Sequence, residues 1–226
     1  MIDDRTLGCL LDRVRRPARY IGGELGRAVK ERATVDIHVC LAFPDAYEIG
    51  MSHLGLRILY ALLNDDPRIY AERAYCPFPD MEQEHRAARL PLFSIESRTP
   101  LSAFDVVGFS LQSEMTHTNV LTMLDLGGIP LYRRERGGAD PIIVAGGPVA
   151  FNPEPLSDFI DAFLVGDAEE AFPLFLRRNH ELKSRGVPRA ERLAQLAREV
   201  GGLYVPALYP TRADATSGRV YVGPAD

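Results

Sequence analysis

The feature that most constrains the fold of this 226-residue chain is an alternation of short apolar runs with helical patterns. Each apolar run has the length and composition of a β-strand that is buried on one or both faces. The five runs lie at residues 35–43, 70–76, 106–111, 141–145 and 161–165. Strands that alternate with helices form right-handed βαβ units. The sequence therefore predicts an α/β fold with a doubly wound, parallel, five-stranded sheet.

For two of the intervening helices the sequence predicts further detail, a buried face for one and the first residue for the other. The helix expected over 52–64 carries apolar residues at spacings of three and four, which predict one buried face. The residues of that face are Leu54, Ile58, Leu59, Leu62 and Leu63. A later helix is predicted to start at Asp167, which would form a capping box with Glu170.

Both ends of the chain stand outside this alternation. The predicted parts are an N-terminal arm at 1–34, an α/β domain at 35–200 and a C-terminal extension at 201–226. Residues 5–32 of the arm hold eight Lys or Arg residues and three Asp or Glu residues. A solvated helix is favoured for this arm over a basic segment that docks on another domain or on phosphate. In the extension, two short strands at 204–209 and 219–222 are predicted, joined by a loop.

Charge, hydropathy and cysteine content limit the classes of function. The net charge of −5 at pH 7 does not favour a general affinity for nucleic acid. No apolar run approaches the roughly 20 residues that cross a bilayer, and the N-terminus lacks the pattern of a secretory signal. Three cysteines, Cys9, Cys40 and Cys76, form no CxxC pair and suit a reducing compartment. We therefore expect a cytoplasmic protein with no membrane partner.

Small residues follow three of the predicted strands at the same end. Ser110 ends the third strand, Gly146 and Gly147 end the fourth, and Gly166 follows the fifth. Ligands of doubly wound sheets bind outside the carboxyl ends of the strands, where the strand order reverses. These residues predict a groove for a flat or extended ligand. For Gly146 and Gly147, a tight turn before Pro148 is an equally good explanation.

The loop between the first strand and its helix offers a different chemistry. Asp45, Glu48 and His53 provide either an acid–base set or metal ligands. The favoured alternative is that Ser52 caps the helix while the carboxylates face solvent or the helix N-terminus. We expect the loop itself to contact a ligand, since a doubly wound fold places its ligand loop here.

Several common catalytic signatures are missing from the sequence. There is no GxxxxGK[ST] motif, and no GxGxxG follows the first strand, so a dinucleotide site is not favoured. Residues 108–112 lack the second glycine of a nucleophile elbow, and the five histidines form no local metal pair.

Three segments, VVGFSLQ, IIVAGGPVAFNPEPL and DAFLVGDAEEAF, resemble the cobalamin-binding domain of cobalamin-dependent radical S-adenosylmethionine (SAM) proteins. Two others, PARYIGGE and FPDAYEIGMSHLGLRILY, resemble one uncharacterised branch of these proteins, and the likeness extends over about 15–210. The resemblance implies a flavodoxin-like, Rossmann-like fold with the corrin at the carboxyl ends of the strands. It implies that Ser110, Gly146 and Gly147 let the nucleotide tail of cobalamin approach the backbone. The full set of expected cofactor-binding residues is Asp45, Ile49, Gly50, Ser110, Leu111, Gly146, Gly147 and Gly166, the first three in a loop that closes over the corrin.

The chain departs from the wider family in two motifs. In place of DxHxxG it has Asp36 and His38 with Leu41 at the glycine position, so His38 is expected to point into the sheet rather than at cobalt. It also lacks the CxxxCxxC motif whose thiolates hold the four-iron cluster that binds S-adenosylmethionine. The resemblance implies that the four-iron cluster and S-adenosylmethionine belong to a radical SAM core outside this sequence, in cis or as a separate chain. It also implies that residues 201–226 lead into that core.

Three hypotheses follow. The leading one is a cobalamin-binding module that presents cobalt to a radical SAM core for methyl or radical transfer, and that is not catalytic alone. The alternative is a degenerate flavodoxin-like domain that binds no cofactor and docks on the core through its arm and 201–222. The third, and least favoured, is a self-contained enzyme that uses Asp45, Glu48 and His53.

Overall fold

The computed structural model describes residues 2–213, 217 and 220–223. Its centre is a six-stranded sheet of β1 (Ile37–Phe43), β2 (Ile69–Tyr75), β3 (Val106–Ser110), β4 (Ile142–Gly146), β5 (Ala162–Leu164) and β6 (Leu203–Tyr204). The strands lie in the order β2-β1-β3-β4-β5-β6. The first five are parallel, and β6 is antiparallel to β5. The parallel strands thus have the 2-1-3-4-5 order of a doubly wound sheet, with the reversal between β1 and β3.

Helices cover both faces of this sheet. The described part of the chain contains seven, namely α1 (Asp4–Leu11), α2 (Tyr47–Ser52), α3 (Leu54–Asp65), α4 (Pro79–Ala88), α5 (His117–Leu126), α6 (Ala168–Ser184) and α7 (Arg189–Glu199). Helices α3, α6 and α7 bury their apolar residues in one core cluster, and α5 contributes to the cluster on the other face. Helix α1 packs with α4 in a third, smaller cluster. The predicted α/β architecture is confirmed.

The predicted count of five strands is wrong, because the chain adds β6 to the edge of the sheet. Helix α7 returns the chain to the carboxyl edge, and Gly202, at φ +77°, turns it back beside β5. A Cβ at Gly202 would lie 2.3 Å from the carbonyl oxygen of Val165, so only glycine allows this turn. Of the strand predicted at 204–209, only Tyr204 joins the main sheet, and Pro206–Leu208 form a 3-10 helix instead. The two-stranded extension instead pairs β7 (Thr211–Ala213) with β8 (Val220–Val222), and Arg219 of the predicted strand lies outside the described residues.

The predicted buried face of α3 is also corrected. Leu56, Tyr60 and Leu63 enter the core, whereas Leu54, Ile58 and Leu62 are exposed. The prediction is right for Leu63, which is buried, and for Leu59, which packs against the core, and wrong for the other three. Because the helix has apolar residues over most of its circumference, spacing alone does not select the buried stripe. Tyr60 reaches the core face because its hydroxyl accepts a hydrogen bond from the backbone N–H of Ala28 at 2.8 Å.

The basic arm lies against the domain rather than in solvent. Leu7 and Leu10 of α1 are buried. Lys30 donates to three backbone carbonyls, those of Asn64, Asp66 and Ile69, at 2.6–2.8 Å. The expectation of a solvated helix is thus only half right, because most charged residues of the arm are exposed while Leu7, Leu10 and Lys30 anchor it.

Buried polar side chains connect the outer strand β2 to its neighbours by hydrogen bonds. On one face, Glu72 pairs with Nε2 of His38 at 2.6 Å and accepts hydrogen bonds from Ser94 and Ser97, so His38 points into the fold as the sequence predicted. On the other face, Arg73 Nε donates to Glu96 at 2.6 Å, and the Arg73 backbone N–H donates to the same carboxylate at 2.7 Å. Because β2 is an edge strand, these contacts also cover its open side.

We predict that Glu96 makes the stability of the domain depend on pH. Burial raises the pKa of Glu96 to about 7, although the nearby Arg73 opposes that rise. A carboxyl whose pKa is higher in the folded state binds more protons when folded, so stability is lost as the pH rises through that range. Urea unfolding between pH 4.5 and 7.5 should show a decline that Glu96→Gln flattens. The matched variant Glu82→Gln, at a partly exposed helix position, should keep the decline, and an unchanged slope in Glu96→Gln would contradict the assignment.

Candidate functional site

A groove of about 220 Å³ lies at the carboxyl edge of the sheet, between α3, α6 and the ends of β1, β3, β4 and β5. Its floor consists largely of small residues, Gly108 and Ser110 of β3 and Gly146 of β4. Apolar side chains on its walls include Leu56 of α3 and Phe172 of α6. The groove adjoins the point where the strand order reverses, which is where doubly wound sheets bind their ligands.

The two adjacent glycines have different structural roles. Gly147, at φ +101°, makes a tight turn in which a Cβ would lie 2.5 Å from the carbonyl oxygen of Leu111. Gly146 needs no special backbone conformation, and a Cβ there would lie 3.6 Å from the nearest atom, the carbonyl oxygen of Leu164. Both glycines line the groove. The turn requires glycine at 147, whereas at Gly146 the missing side chain leaves space in the groove.

The other predicted residues of the strand ends divide between the groove and the core. Gly166 lines the groove at φ +118° with no atom near the position of a Cβ. Ser110 also lines it, and its hydroxyl accepts a hydrogen bond from Gln112 Nε2 at 3.0 Å. Leu111 is buried in the opposite core cluster, so it supports the groove only through its backbone N–H, which donates to Gly146 at 2.7 Å.

The structure does not bring the predicted lid residues to the groove. Asp45 accepts a hydrogen bond from the backbone N–H of Ala46 at 2.7 Å. Ile49 is half exposed on α2, and Gly50 is packed so tightly that a Cβ would lie 2.4 Å from the Tyr75 ring. The segment is a short helix beside the groove, not a loop across it.

The proposed acid–base set does not converge either. Glu48 pairs with Arg19 at 2.7 Å, and this hydrogen bond lowers the pKa of Glu48. His53 lines the groove, where its Nδ1 caps α3 in place of the expected Ser52. The three side chains therefore provide no shared catalytic centre.

Sequence reasoning missed several lining residues. Gly108 admits the ring of Phe172, whose Cζ would lie 3.0 Å from a Cβ at this position. A glycine inside an otherwise apolar strand is a signal of such close approach. Asp167 and Glu169 place carboxylates at the mouth of the groove. Asp167 is the N-cap residue of α6, but its side chain makes no capping hydrogen bond, which corrects the predicted capping box.

Exposed apolar side chains follow the strands that form the groove. Leu54, after β1, is 66% exposed, Met115, after β3, is 89% exposed, and Phe151, after β4, is 73% exposed. We call these three residues the apolar rim. None of the three lines the groove, but all follow strands at the same edge of the sheet, where large exposed apolar side chains favour contact with a ligand or a partner.

The described residues contain neither a metal-ligand cluster nor a membrane-spanning helix. Within residues 2–213, 217 and 220–223, no group of three or more His, Cys, Asp or Glu side chains could hold a metal ion. The described helices also include none with the length and hydropathy needed to span a bilayer.

The strand order and the groove define a doubly wound α/β domain with an open cleft at its switch point. A family profile described as radical SAM proteins, N-terminal, matches residues 55–206, and the chain belongs to this family.

A curated relative shows how much of a longer protein such a region represents. An uncharacterised protein of Methanocaldococcus jannaschii is 24% identical over 152 residues, which are 66% of this chain and 28% of the relative. The chain thus spans less than a third of the length of that relative. No solved structure matches the chain significantly.

Proposed function

We propose that this flavodoxin-like domain is the cobalamin-binding module of a radical SAM enzyme. The observation that carries the proposal is the groove floored by Gly108, Ser110 and Gly146, which opens beside the apolar rim. Cobalamin combines a slender nucleotide tail with a broad, largely apolar macrocycle, and it needs both kinds of surface. The family match supports the radical SAM context, and the groove supports the cofactor.

The residues of the groove fit the chemistry of cobalamin. Leu56 and Phe172 provide apolar walls that exclude water from a bound base. Asp167 and Glu169 offer hydrogen-bond acceptors to the amide groups that surround a corrin. When bound, cobalt would supply a carrier for a methyl group or a radical, and the reaction itself would need the radical SAM core. That core, with its S-adenosylmethionine and four-iron cluster, is the partner in this proposal, in cis or as a separate chain.

Titration of the chain with hydroxocobalamin tests the proposal. We expect a shift of the corrin absorption spectrum that saturates at one equivalent in the micromolar range. Cobinamide, which lacks the nucleotide tail, should bind at least about tenfold more weakly, because the groove would stay empty. Flavin mononucleotide serves as the control ligand for a sheet of this order. No spectral shift with hydroxocobalamin would refute the function.

A second candidate function is favoured by the exposure of the apolar rim and of Arg15 and Arg16. In this alternative the domain binds no cofactor, and these surfaces dock on the radical SAM core. Arg19 is unsuitable for a test, because it bonds Glu48 and stacks 3.6 Å from the centre of the Phe78 ring. Co-purification with the core should fall in the double variant Arg15→Glu, Arg16→Glu if this alternative holds.

A further inference from the structure

His53 occupies a fixed position on the wall of the groove. It precedes α3, and its Nδ1 accepts a hydrogen bond from the backbone N–H of Leu56 at 3.1 Å. Its ring also packs on Phe43, with 5.2 Å between the ring centroids. The backbone N–H of a first helical turn has no partner within its helix, so this contact satisfies a group that would otherwise need water.

The capping contact determines where the imidazole carries its proton. A neutral histidine has one N–H and one acceptor nitrogen, and in His53 the acceptor is Nδ1. The proton must then lie on Nε2. None of the residues that the structure describes accepts a hydrogen bond from this Nε2, and the atom is not among the buried unpaired ones. His53 thus has a free donor on a residue that lines the groove.

We infer that His53 donates a hydrogen bond from Nε2 to a carbonyl or phosphate oxygen of the ligand in the groove, and that it does not ligate cobalt. The inference rests on the proposed function for the identity of that ligand. Coordination through Nε2 would require the proton to move to Nδ1. The backbone N–H of Leu56 would then face another N–H, and the cap of α3 would be lost.

The tautomer can be measured on the chain without any ligand. Long-range ¹H–¹⁵N correlation spectra distinguish protonated from unprotonated ring nitrogens, and His53→Asn assigns the signal. We expect His53 to have a protonated Nε2 and an acceptor Nδ1 at neutral pH. A protonated Nδ1 with a bare Nε2 would overturn the inference.

Two variants of His53 distinguish its role as the N-cap of α3 from its role as a hydrogen-bond donor to the ligand. Serine at position 53 can cap α3 but has no group equivalent to Nε2–H, whereas asparagine can cap through its oxygen and keep an N–H donor. We expect His53→Ser to stay folded, with a urea midpoint close to that of His53→Asn because both variants lose the ring contact with Phe43, and to weaken hydroxocobalamin binding about fivefold, the effect of one hydrogen bond. His53→Asn should retain more of the affinity. Equal binding by wild type and His53→Ser would overturn the inference.

Cobalt coordination is tested by electron paramagnetic resonance of bound cob(II)alamin. Protein labelled with ¹⁵N-histidine should give the same nitrogen splitting as unlabelled protein, because no histidine binds the metal. A change on labelling that disappears in His53→Asn would overturn the inference and leave the proposed function intact. Failure of the wild-type chain to bind any corrin would refute the proposed function, and the ligand contact of His53 with it.

Discussion

Side chains of increasing size at Gly146 are expected to abolish cobalamin binding while the domain stays folded. The series Gly146→Ala, Gly146→Val and Gly146→Phe adds atoms directly to the floor of the groove. The first Cβ meets nothing closer than 3.6 Å, and the backbone is not in the left-handed region, so the substitutions bring no conformational strain. We expect a small loss of affinity for alanine, at least about tenfold for valine and no measurable binding for phenylalanine.

The matched control is Gly138, which also lacks a left-handed backbone and has no neighbour near a Cβ position. It lies ahead of β4, at the opposite edge of the sheet from the groove. Gly138→Phe should bind hydroxocobalamin as wild type does, and thermal unfolding of both phenylalanine variants should stay near the wild-type midpoint. Full corrin binding by a folded Gly146→Phe variant would show that the groove is not the cofactor site.

The largest loss of stability is expected from Asp161→Ala. One buried oxygen of Asp161 accepts from Arg136 Nη1 at 3.0 Å, Arg189 Nη2 at 2.8 Å and the backbone N–H of Ile143 at 2.7 Å. Removal of the carboxylate leaves two buried guanidinium groups without a counter-charge. Breaking such a buried pair typically costs about 3–5 kcal/mol of unfolding free energy.

Urea denaturation followed by circular dichroism measures this loss. Asp161→Asn, which keeps an acceptor oxygen but not the charge, should lose less than alanine and provides a folded variant if Asp161→Ala does not fold. Glu82→Ala is the control, because Glu82 pairs with Arg86 on a partly exposed helix surface. Loss of that pair should lower the unfolding free energy by less than about 0.5 kcal/mol. Equal losses at Asp161 and Glu82 would contradict the proposed role of the buried cluster.

The succession of strands and helices along the chain could be predicted because most of the parallel strands are nearly continuous apolar runs, although β2 contains Glu72 and Arg73. Strand β6 could not be predicted in this way, because two residues are too few to show the alternating pattern of a strand. Their pairing with β5 depends on the turn at Gly202. The orientation of α3 could not be predicted, because Leu54 and Leu56 are equally apolar. Only tertiary contacts decide which of them is buried.

The candidate site was predictable only where it is built from backbone. Ser110, Gly146 and Gly166 lie together because the ends of parallel strands meet at one edge, which follows from the fold class alone. The positions of Asp45, Ile49 and Gly50 depend on how α2 packs against Tyr75, and no local pattern encodes that contact. At position 53 the histidine is visible in the sequence, but its tautomer is not, because the tautomer depends on one hydrogen bond in the folded chain.

The antiparallel direction of β6 has a consequence for the architecture of a longer protein. Because this strand runs against its neighbours, the polypeptide leaves the sheet at the pole opposite the groove, where Ala207 lies close to Arg133 and Asp161. If the proposed radical SAM core follows in cis, the segment that leads to it leaves the sheet at Ala207, at the edge opposite the groove. To bring the core to a ligand in the groove, the connecting segment would have to run back along the length of the sheet. The length and route of that segment would then control how the core approaches the ligand.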